Sequence, residues 1–302
     1  MRILLTGANG QLGHELSHIL DDMNAEIGPL PKEYEGALLD KAGSQELDIS
    51  DARAVDTWFA SHAPYDLVLN CAALTNVDGC EDEEEHAFAV NANGPANLAR
   101  ACARSGARLV HVSTDYVFSG TEPGARKETD KTGPISAYGR SKLAGEEQVA
   151  SLLPEHYIVR TAWLYGYHGK NFLKTMLRLG KTHESITVVN DQIGNPTSAN
   201  DLAYEILKIA LTDSFGIYHC TNEGSCSWAD FSQAIMEEAG LACKVIPVTT
   251  EQYRAANPKS AKRPAYSSLE NAHLATTIGN EMRPWREALK SYFSNMSSRQ
   301  ED

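Results

Sequence analysis

The sequence predicts an α/β protein, a doubly wound parallel sheet followed by a smaller C-terminal lobe. Short apolar runs alternate with helically spaced segments from Arg2 to Trp163. A glycine-rich turn joins the first apolar run to the first helical pattern. The 302 residues are enough for such a sheet and a further lobe.

The elements follow in order. Arg2–Thr6 is a short apolar run that reads as a strand, and Leu12, Leu16, Ile19 and Leu20 then fall at helical spacing. The stretch from Asn24 to Gly36 carries two prolines and predicts a weak strand or loop, after which Ala37–Asp40 reads as a second strand ending on a carboxylate. A helix is expected over Asp51–His62, capped by Ser50 or Asp51, then a buried strand over Asp66–Asn70. Glu83–Ser105 reads as one long alanine-rich helix, Arg108–Val112 as a strand, Ser141–Leu152 as a helix and Tyr157–Arg160 as a strand. Beyond Trp163 the alternation loosens. Helices are expected over Asn171–Leu179, Asn200–Leu211 and Ser227–Ala239, with a short edge strand at Val245–Val248 and a basic, proline-bounded loop at Pro258–Pro264. We therefore expect a sheet domain over residues 1–165 and a lobe over 166–302, some segments of which return to the sheet.

Composition narrows the class. Forty acidic residues against 27 basic ones give a net charge of −13, which argues against nucleic-acid and membrane surfaces. No apolar run approaches membrane-spanning length, and Met1-Arg2 opens directly on the first strand without a signal-peptide pattern, so a cytoplasmic protein is expected. The six cysteines form no C-x-x-C pair and read as reduced thiols. The acidic run Glu81–Glu85 reads as a solvated loop and the first turn of a helix, where carboxylates are favoured.

Gly7-Ala8-Asn9-Gly10-Gln11-Leu12-Gly13 places glycines at the first, fourth and seventh positions, between strand and helix. Glycine permits the tight turn, a close approach of backbone to a pyrophosphate, and close packing of helix on strand. The N–H groups and dipole of the helix then favour the phosphates. A Rossmann-type dinucleotide site is the expectation. In such a site an acidic residue after the second strand meets the adenosine ribose, and Asp40 is the candidate. A carboxylate there suits NADH, whereas the following Lys41 would tolerate the 2′-phosphate of NADPH, so both cofactors stay open. Asp48-Ile49 would line the adenine pocket or serve only as a helix-capping segment.

Tyr138 and Lys142 are four residues apart, on one face if helical. A phenol is a poor acid near neutrality unless an adjacent ammonium stabilises its phenolate, and the same ammonium can hold a ribose hydroxyl. Thr114 sits at the C-terminal end of a predicted parallel strand, where ligands bind in such sheets. The set reads as a reductase: Tyr138 donates a proton to a ketone oxygen, Thr114 orients that oxygen and Lys142 tunes the tyrosine. Trp163 offers an aromatic face to a sugar or base, and Arg263, before a proline, could clamp a diphosphate bidentately.

This pattern resembles the extended short-chain dehydrogenase/reductases, with threonine where many members have serine. The runs Gly7–Gly13, Asn70–Asp78, Ser113–Phe118, Tyr138–Lys142, Arg160–Gly166, Asn171-Phe172, Asp191–Thr197 and Arg263-Pro264 are similar to the dTDP-4-dehydrorhamnose reductase family. The resemblance implies reduction of dTDP-4-dehydro-L-rhamnose to dTDP-L-rhamnose with NADPH or NADH. It implies that Gly10, Gln11, Leu12, Asp40, Asp48, Ile49, Ala72, Ala73, Leu74 and Val112 surround the cofactor, that Thr114, Asp115 and Trp163 touch the substrate, and that Tyr138 and Lys142 also contact the cofactor. Some members are described as metal-bridged dimers. Glu15 matches one carboxylate of that bridge, but Asn200 and Ser291 fall at the others, so no metal and a monomer or weak homodimer are expected. The resemblance also makes the Asn24–Gly36 segment longer than usual. Two rivals are a nucleotide-sugar dehydratase or epimerase, against which Tyr116 stands where a second carboxylate would follow Thr114-Asp115, and a non-catalytic regulatory subunit.

Overall fold

A computed structural model describes residues 1–62, 64–258 and 260–299. The chain runs β1 (Arg2–Thr6), α1 (Gln11–Asp22), β2 (Leu38–Ala42), α2 (Ala52–Ser61), β3 (Leu67–Asn70), α3 (Val77–Asp82), α4 (Glu84–Phe88) and α5 (Gly94–Ser105). It continues through β4 (Arg108–Thr114), α6 (Ala137–Leu152), β5 (His156–Thr161), β6 (Leu164–Tyr165), α7 (Phe172–Gly180), β7 (Ser185–Val189), β8 (Ile193–Gly194), β9 (Thr197–Ser198) and α8 (Ala199–Ala210). β10 (Gly216–His219), β11 (Cys226–Ser227), α9 (Trp228–Glu238), β12 (Lys244–Val248), α10 (Thr250–Ala256), α11 (Ala272–Thr277) and α12 (Trp285–Asn295) follow.

The central sheet has six parallel strands in the order β10-β5-β4-β3-β1-β2. Its register places Leu4 between Asp40 and Val68. Because successive side chains alternate, Ile3, Leu5, Leu69, Val110 and Val159 face one side, against Leu16 and Ile19 of α1 and Leu202 and Ile206 of α8. Leu4, Val68, Leu109 and Ile158 face the other, against Val55, Leu98, Cys102 and Val149. Each fully buried leucine or isoleucine contributes about 2 kcal/mol. The chain leaves β1 towards β2 on one side and β3 on the other, so a crevice opens at the C-terminal ends of these strands, where ligands settle in such sheets. A third apolar cluster gathers Tyr165, Leu173, Ile186, Phe231, Trp285 and Tyr292 around the parallel β7–β12 pair.

Several expectations change in detail. The segment after α1 takes the loop alternative of the two expected: Asn24 bridges Pro29, a 3-10 turn spans Lys32–Tyr34, and the buried Tyr34 donates to the Leu207 carbonyl at 2.7 Å. That anchor on α8 lies outside the reach of a local pattern. The single helix expected over Glu83–Ser105 is α4 and α5 joined through a π-turn at Ala89–Asn93. The wide turn lets α6 come close, for a Cβ on Gly145 would stand 2.2 Å from the Asn91 carbonyl oxygen. Asp51 is the cap of α2. All six cysteines are unpaired.

Near α1 a cluster of charges is buried. Glu15 is fully buried, and its Oε2 accepts from Asn200 at 3.0 Å and from Arg299 at 2.5 Å. Arg283 bridges Glu26 and Asp201, and Ser291 donates to Glu26 at 2.5 Å. Thus a guanidinium from the C-terminal segment compensates Glu15. Among the described residues no group of His, Cys, Asp and Glu is placed to hold a metal, and no helix is long and apolar enough to cross a membrane.

Candidate active site

The glycine turn builds the floor of the site. Gly7 has φ +68°, and a Cβ there would lie 2.5 Å from the Ala72 nitrogen, so only glycine fits. A Cβ on Gly13 would lie 2.4 Å from the Gly7 carbonyl oxygen, which is how α1 packs so closely on the turn. Gly10 caps α1 with ordinary backbone angles and no side chain to satisfy the first N–H groups. Its added Cβ would meet only the Gly7 carbonyl oxygen at 3.1 Å and otherwise project into open space. Those N–H groups face a cleft of about 500 Å³ lined by Gly10, Gln11, Leu12 and Gly13. The uncapped helix end and the space left by Gly10 fit the pyrophosphate of a dinucleotide.

Asparagines hold the loop after β3 against the cleft. Asn70 accepts from the Thr6 hydroxyl at 2.8 Å and from the Ala72 N–H at 3.2 Å. Asn91, in the π-turn, accepts from the Leu74 N–H at 2.8 Å and donates to the Leu74 carbonyl at 3.0 Å and to the Ser141 hydroxyl at 3.1 Å. Cys71, Ala73 and Thr75 thereby line the cavity. Burial beside the sheet pushes the Cys71 thiol up to about 12, which leaves it an inert wall.

The opposite wall comes from β4 and α6. Thr114 ends β4, and its hydroxyl donates to Asp115 Oδ1 at 2.8 Å and accepts from the Tyr116 N–H at 3.2 Å. Ser136 caps α6, which carries Tyr138 and Lys142 on the face towards the cleft. Lys142 is almost fully buried, and its Nζ donates to the Val112 carbonyl at 2.7 Å. Burial pulls its pKa down to about 8, against the pull of the Glu146 carboxylate. Tyr138 is raised by burial, partly offset by the Thr114 hydroxyl beside it, so it stays a protonated donor. Burial likewise lifts the Asp115 carboxyl to about 6, against the Ser267 and Thr114 hydroxyls beside it.

The C-terminal half closes the cleft. Trp163 holds a left-handed backbone, φ +46°, and stacks on Trp228 with ring centroids 3.4 Å apart. Gly194 makes room for this ring, since a Cβ there would stand 2.4 Å from Trp163. Asn171 caps α7 and donates to Gln11 Oε1 at 2.7 Å, while Gln11 donates to the Leu164 carbonyl at 3.1 Å. These bonds tie the first turn of α1 to the lobe carrying Trp228. Arg263 lies beyond Trp228 in an adjoining cavity of about 420 Å³, its Nη2 donating to both Asp78 oxygens at 3.0 Å.

Of the residues singled out in the sequence, Gly10, Gln11, Leu12, Gly13, Ala73, Val112, Thr114, Asp115, Tyr138, Lys142 and Trp163 line this one cleft. Gly7 shapes it from behind, and Ala72 and Leu74 belong to its loop without lining it. Asp40, expected at the ribose, does not line it: it lies mid-strand, with its carboxylate taken by Arg2 at 2.7 Å and by the Tyr65 hydroxyl at 2.8 Å. β2 runs two residues further than predicted, so its C-terminal end falls at Ala42-Gly43. Asp48 accepts from Ser50 in a capping turn, and Ile49 packs against Gly94; neither lines the cavity. Arg263 is one cavity away. Sequence reasoning missed Trp228, Lys170 and the role of Asn171. The Ser227-to-Asp230 capping box would have marked where α9 begins, but nothing local says that its first residue reaches the cleft.

A glycine turn under a Thr–Tyr–Lys wall defines a reductase-type dinucleotide fold. The chain belongs to the family described as "RmlD substrate binding domain", whose model matches residues 1–298. It is 41% identical to the spore coat polysaccharide biosynthesis protein SpsK of Bacillus subtilis, over 98% of each chain. It is 43% identical to a dTDP-4-dehydrorhamnose reductase of Mycobacterium tuberculosis, over 95% of this chain and 91% of that one. The solved structure of a dTDP-4-dehydrorhamnose reductase from Bacillus anthracis, in complex with NADP, superposes with a TM-score of 0.89 at 40% identity, covering 97% of this chain and 99% of that one.

Proposed function

We propose that the chain reduces the 4-keto group of dTDP-4-dehydro-L-rhamnose to give dTDP-L-rhamnose, with NADPH or NADH as the bound hydride donor. The observation that carries the proposal is the placement of Thr114, Tyr138 and Lys142 along one wall above the glycine turn. Gly10, Gln11, Leu12 and Gly13 hold the pyrophosphate of the cofactor, with Gly7 shaping the turn behind them, and Ala72, Ala73, Leu74 and Val112 flank the rest of the dinucleotide. When bound, the dinucleotide would supply the hydride that reduces the sugar carbon. Tyr138 gives its phenolic proton to the ketone oxygen, Thr114 orients that oxygen, and the Lys142 ammonium stabilises the phenolate left behind. Trp163 and Asp115 contact the sugar, and Arg263 reaches its diphosphate by exchanging Asp78 for phosphate oxygens. The dinucleotide domain spans 1–165 and the mainly substrate-binding lobe 166–302, with α8 and β10 returning to the sheet. The protein works in the cytoplasm as a monomer or weak homodimer, without a metal bridge, since Arg299 and Asn200 already compensate Glu15.

The test mixes purified protein with NADPH, and separately NADH, and dTDP-4-dehydro-L-rhamnose generated in situ, following cofactor oxidation and product identity. Oxidation yielding dTDP-rhamnose is expected. Intact cofactor binding without oxidation would refute this substrate. The likeness to SpsK favours, as a second reading, another nucleotide-linked 4-keto sugar.

A further inference from the structure

One helical turn below Lys142, a second layer of charge is fully buried. Glu146 on α6 and Arg160 on β5 are 3% and 2% exposed. Arg160 grips Glu146 as a fork, Nε donating to Oε1 at 2.9 Å and Nη2 to Oε2 at 2.7 Å. Ser113, the register partner of Arg160 on β4, donates its hydroxyl to Oε1 at 2.5 Å. Arg160 is held in turn. Its Nη1 lies 3.4 Å from His219 Nε2, and its guanidinium lies over the Phe118 ring at 5.1 Å. His219 Nδ1 faces the carbonyls of Arg126 and Glu270, so that nitrogen carries the proton and Nε2 accepts. Three hydrogen bonds thus hold the Glu146 carboxylate, two on Oε1 and one on Oε2, and none of them comes from Lys142.

We propose that Glu146, clamped by Arg160 and Ser113, is a positioning residue that keeps Lys142 charged and free to point into the cleft. The proposal rests on the reductase reading of Tyr138 and Lys142. A buried ammonium needs an anion nearby to stay protonated. A bare carboxylate one turn away would draw that ammonium into a direct ion pair, off the Val112 carbonyl and away from the cleft. The clamp gives both properties: Glu146 acts on Lys142 through space while both of its oxygens are engaged by Arg160 and Ser113. The groups facing Lys142 are Glu146 on its own helix, Cys71 from the loop after β3 and His111 on β4. Cys71 is held neutral as a thiol, and burial and Lys142 hold His111 neutral, so Glu146 is the one charged group among them.

The clamp predicts opposite effects for its two sides. Glu146→Gln removes the supporting charge, so the basic limb of the kcat/KM profile moves down by about one pH unit, roughly a tenfold loss on the alkaline side. Arg160→Gln releases the carboxylate, so the limb moves up while the NADPH Kd rises, because Lys142 is pulled from the cleft. Ser113→Ala leaves the Arg160 fork in place and gives a smaller upward shift, which tests the same sign if Arg160→Gln does not fold. The measurements are pH profiles of kcat/KM and of NADPH Kd by fluorescence titration, on each full-length variant and the parent. Limbs that stay put, or that shift the same way in Glu146→Gln and Ser113→Ala, overturn the proposal. A parent enzyme that binds NADPH but turns over no keto-sugar fails the reductase reading instead, and the Kd profiles still decide the clamp.

Discussion

The three glycines of the first turn are required for different physical reasons, and alanine substitutions should separate them. At Gly7 an alanine meets two penalties. Its φ of +68° costs roughly 1–2 kcal/mol for a residue with a Cβ. The added atom would stand 2.5 Å from the Ala72 nitrogen and 2.6 Å from the Cys71 carbonyl carbon, both backbone, so β1 and β3 must part locally by nearly an ångström. Overpacking of this kind costs about 1–3 kcal/mol, for a total of roughly 2–5 kcal/mol. At Gly13 alanine gains about 1 kcal/mol of helix propensity but meets the Gly7 carbonyl at 2.4 Å and the Ala8 Cα at 2.7 Å, for a net loss of up to about 2 kcal/mol. At Gly10 the backbone is ordinary and the Cβ meets one atom at 3.1 Å, so the loss should stay under about 1 kcal/mol. The space it fills is the path of the pyrophosphate, so NADPH affinity should fall at least about tenfold, worth 1.4 kcal/mol. Urea denaturation and NADPH fluorescence titration on the three variants read both quantities. A Gly10→Ala protein that is stable and binds NADPH as tightly as the parent would refute the assignment of that space. A Gly7→Ala protein as stable as the parent would refute the steric argument.

Further outcomes are expected. Tyr138→Phe should lower kcat with the keto-sugar by at least about 100-fold, while NADPH Kd changes by less than about threefold; near-normal turnover would remove Tyr138 from the proton-donor role. Trp163→Ala removes the stack on Trp228, worth about 0.5–1.5 kcal/mol beyond the buried area, and should raise the sugar-nucleotide KM by roughly threefold to tenfold with cofactor affinity kept; steady-state kinetics with each substrate varied in turn would show it. Arg299→Ala leaves the buried Glu15 carboxylate with only Asn200. Burial already raises the Glu15 pKa above its ordinary value, against Arg299, so this group loses stability as pH rises from that value to the raised one. The variant should therefore match the parent in acid and lose up to about 3 kcal/mol at neutral pH, as urea midpoints at both pH values will report. Equal losses at both would refute the buried-charge account.

Much of this fold is written locally. Buried parallel strands such as Leu67–Asn70 are continuous apolar runs, and the Gly7-to-Gly13 spacing has few other uses, so both are legible without tertiary information. Tyr138 and Lys142 share a face because helical spacing requires it, and Thr114 ends its strand as the pattern implies. What stayed hidden depends on partners remote in sequence. β10, the sixth strand of the sheet, is four residues long and is defined by pairing with β5. The strand of Asp40 runs on to Ala42 because β1 offers partners through Thr6, which moves the strand end past the carboxylate. Trp228 enters the cleft only because Trp163, 65 positions earlier, takes a left-handed backbone and stacks on it. The π-turn at Ala89–Asn93 answers Gly145, on a helix not yet made when the turn is read.

The bond between Glu15 and Arg299 spans 284 positions of sequence. Ribosomes add residues at about 5–20 per second, so roughly 15–60 seconds separate the emergence of the two side chains. Throughout that interval the first helix of the dinucleotide turn carries a carboxylate whose guanidinium partner does not yet exist, and whose other partner, Asn200, emerges only part-way through. The nascent N-terminal half must keep α1 loosely docked or hold Glu15 protonated. The ion pair that ties α1 to the C-terminal segment therefore forms only after Arg299 has emerged, later than the strands and glycines that build the turn itself.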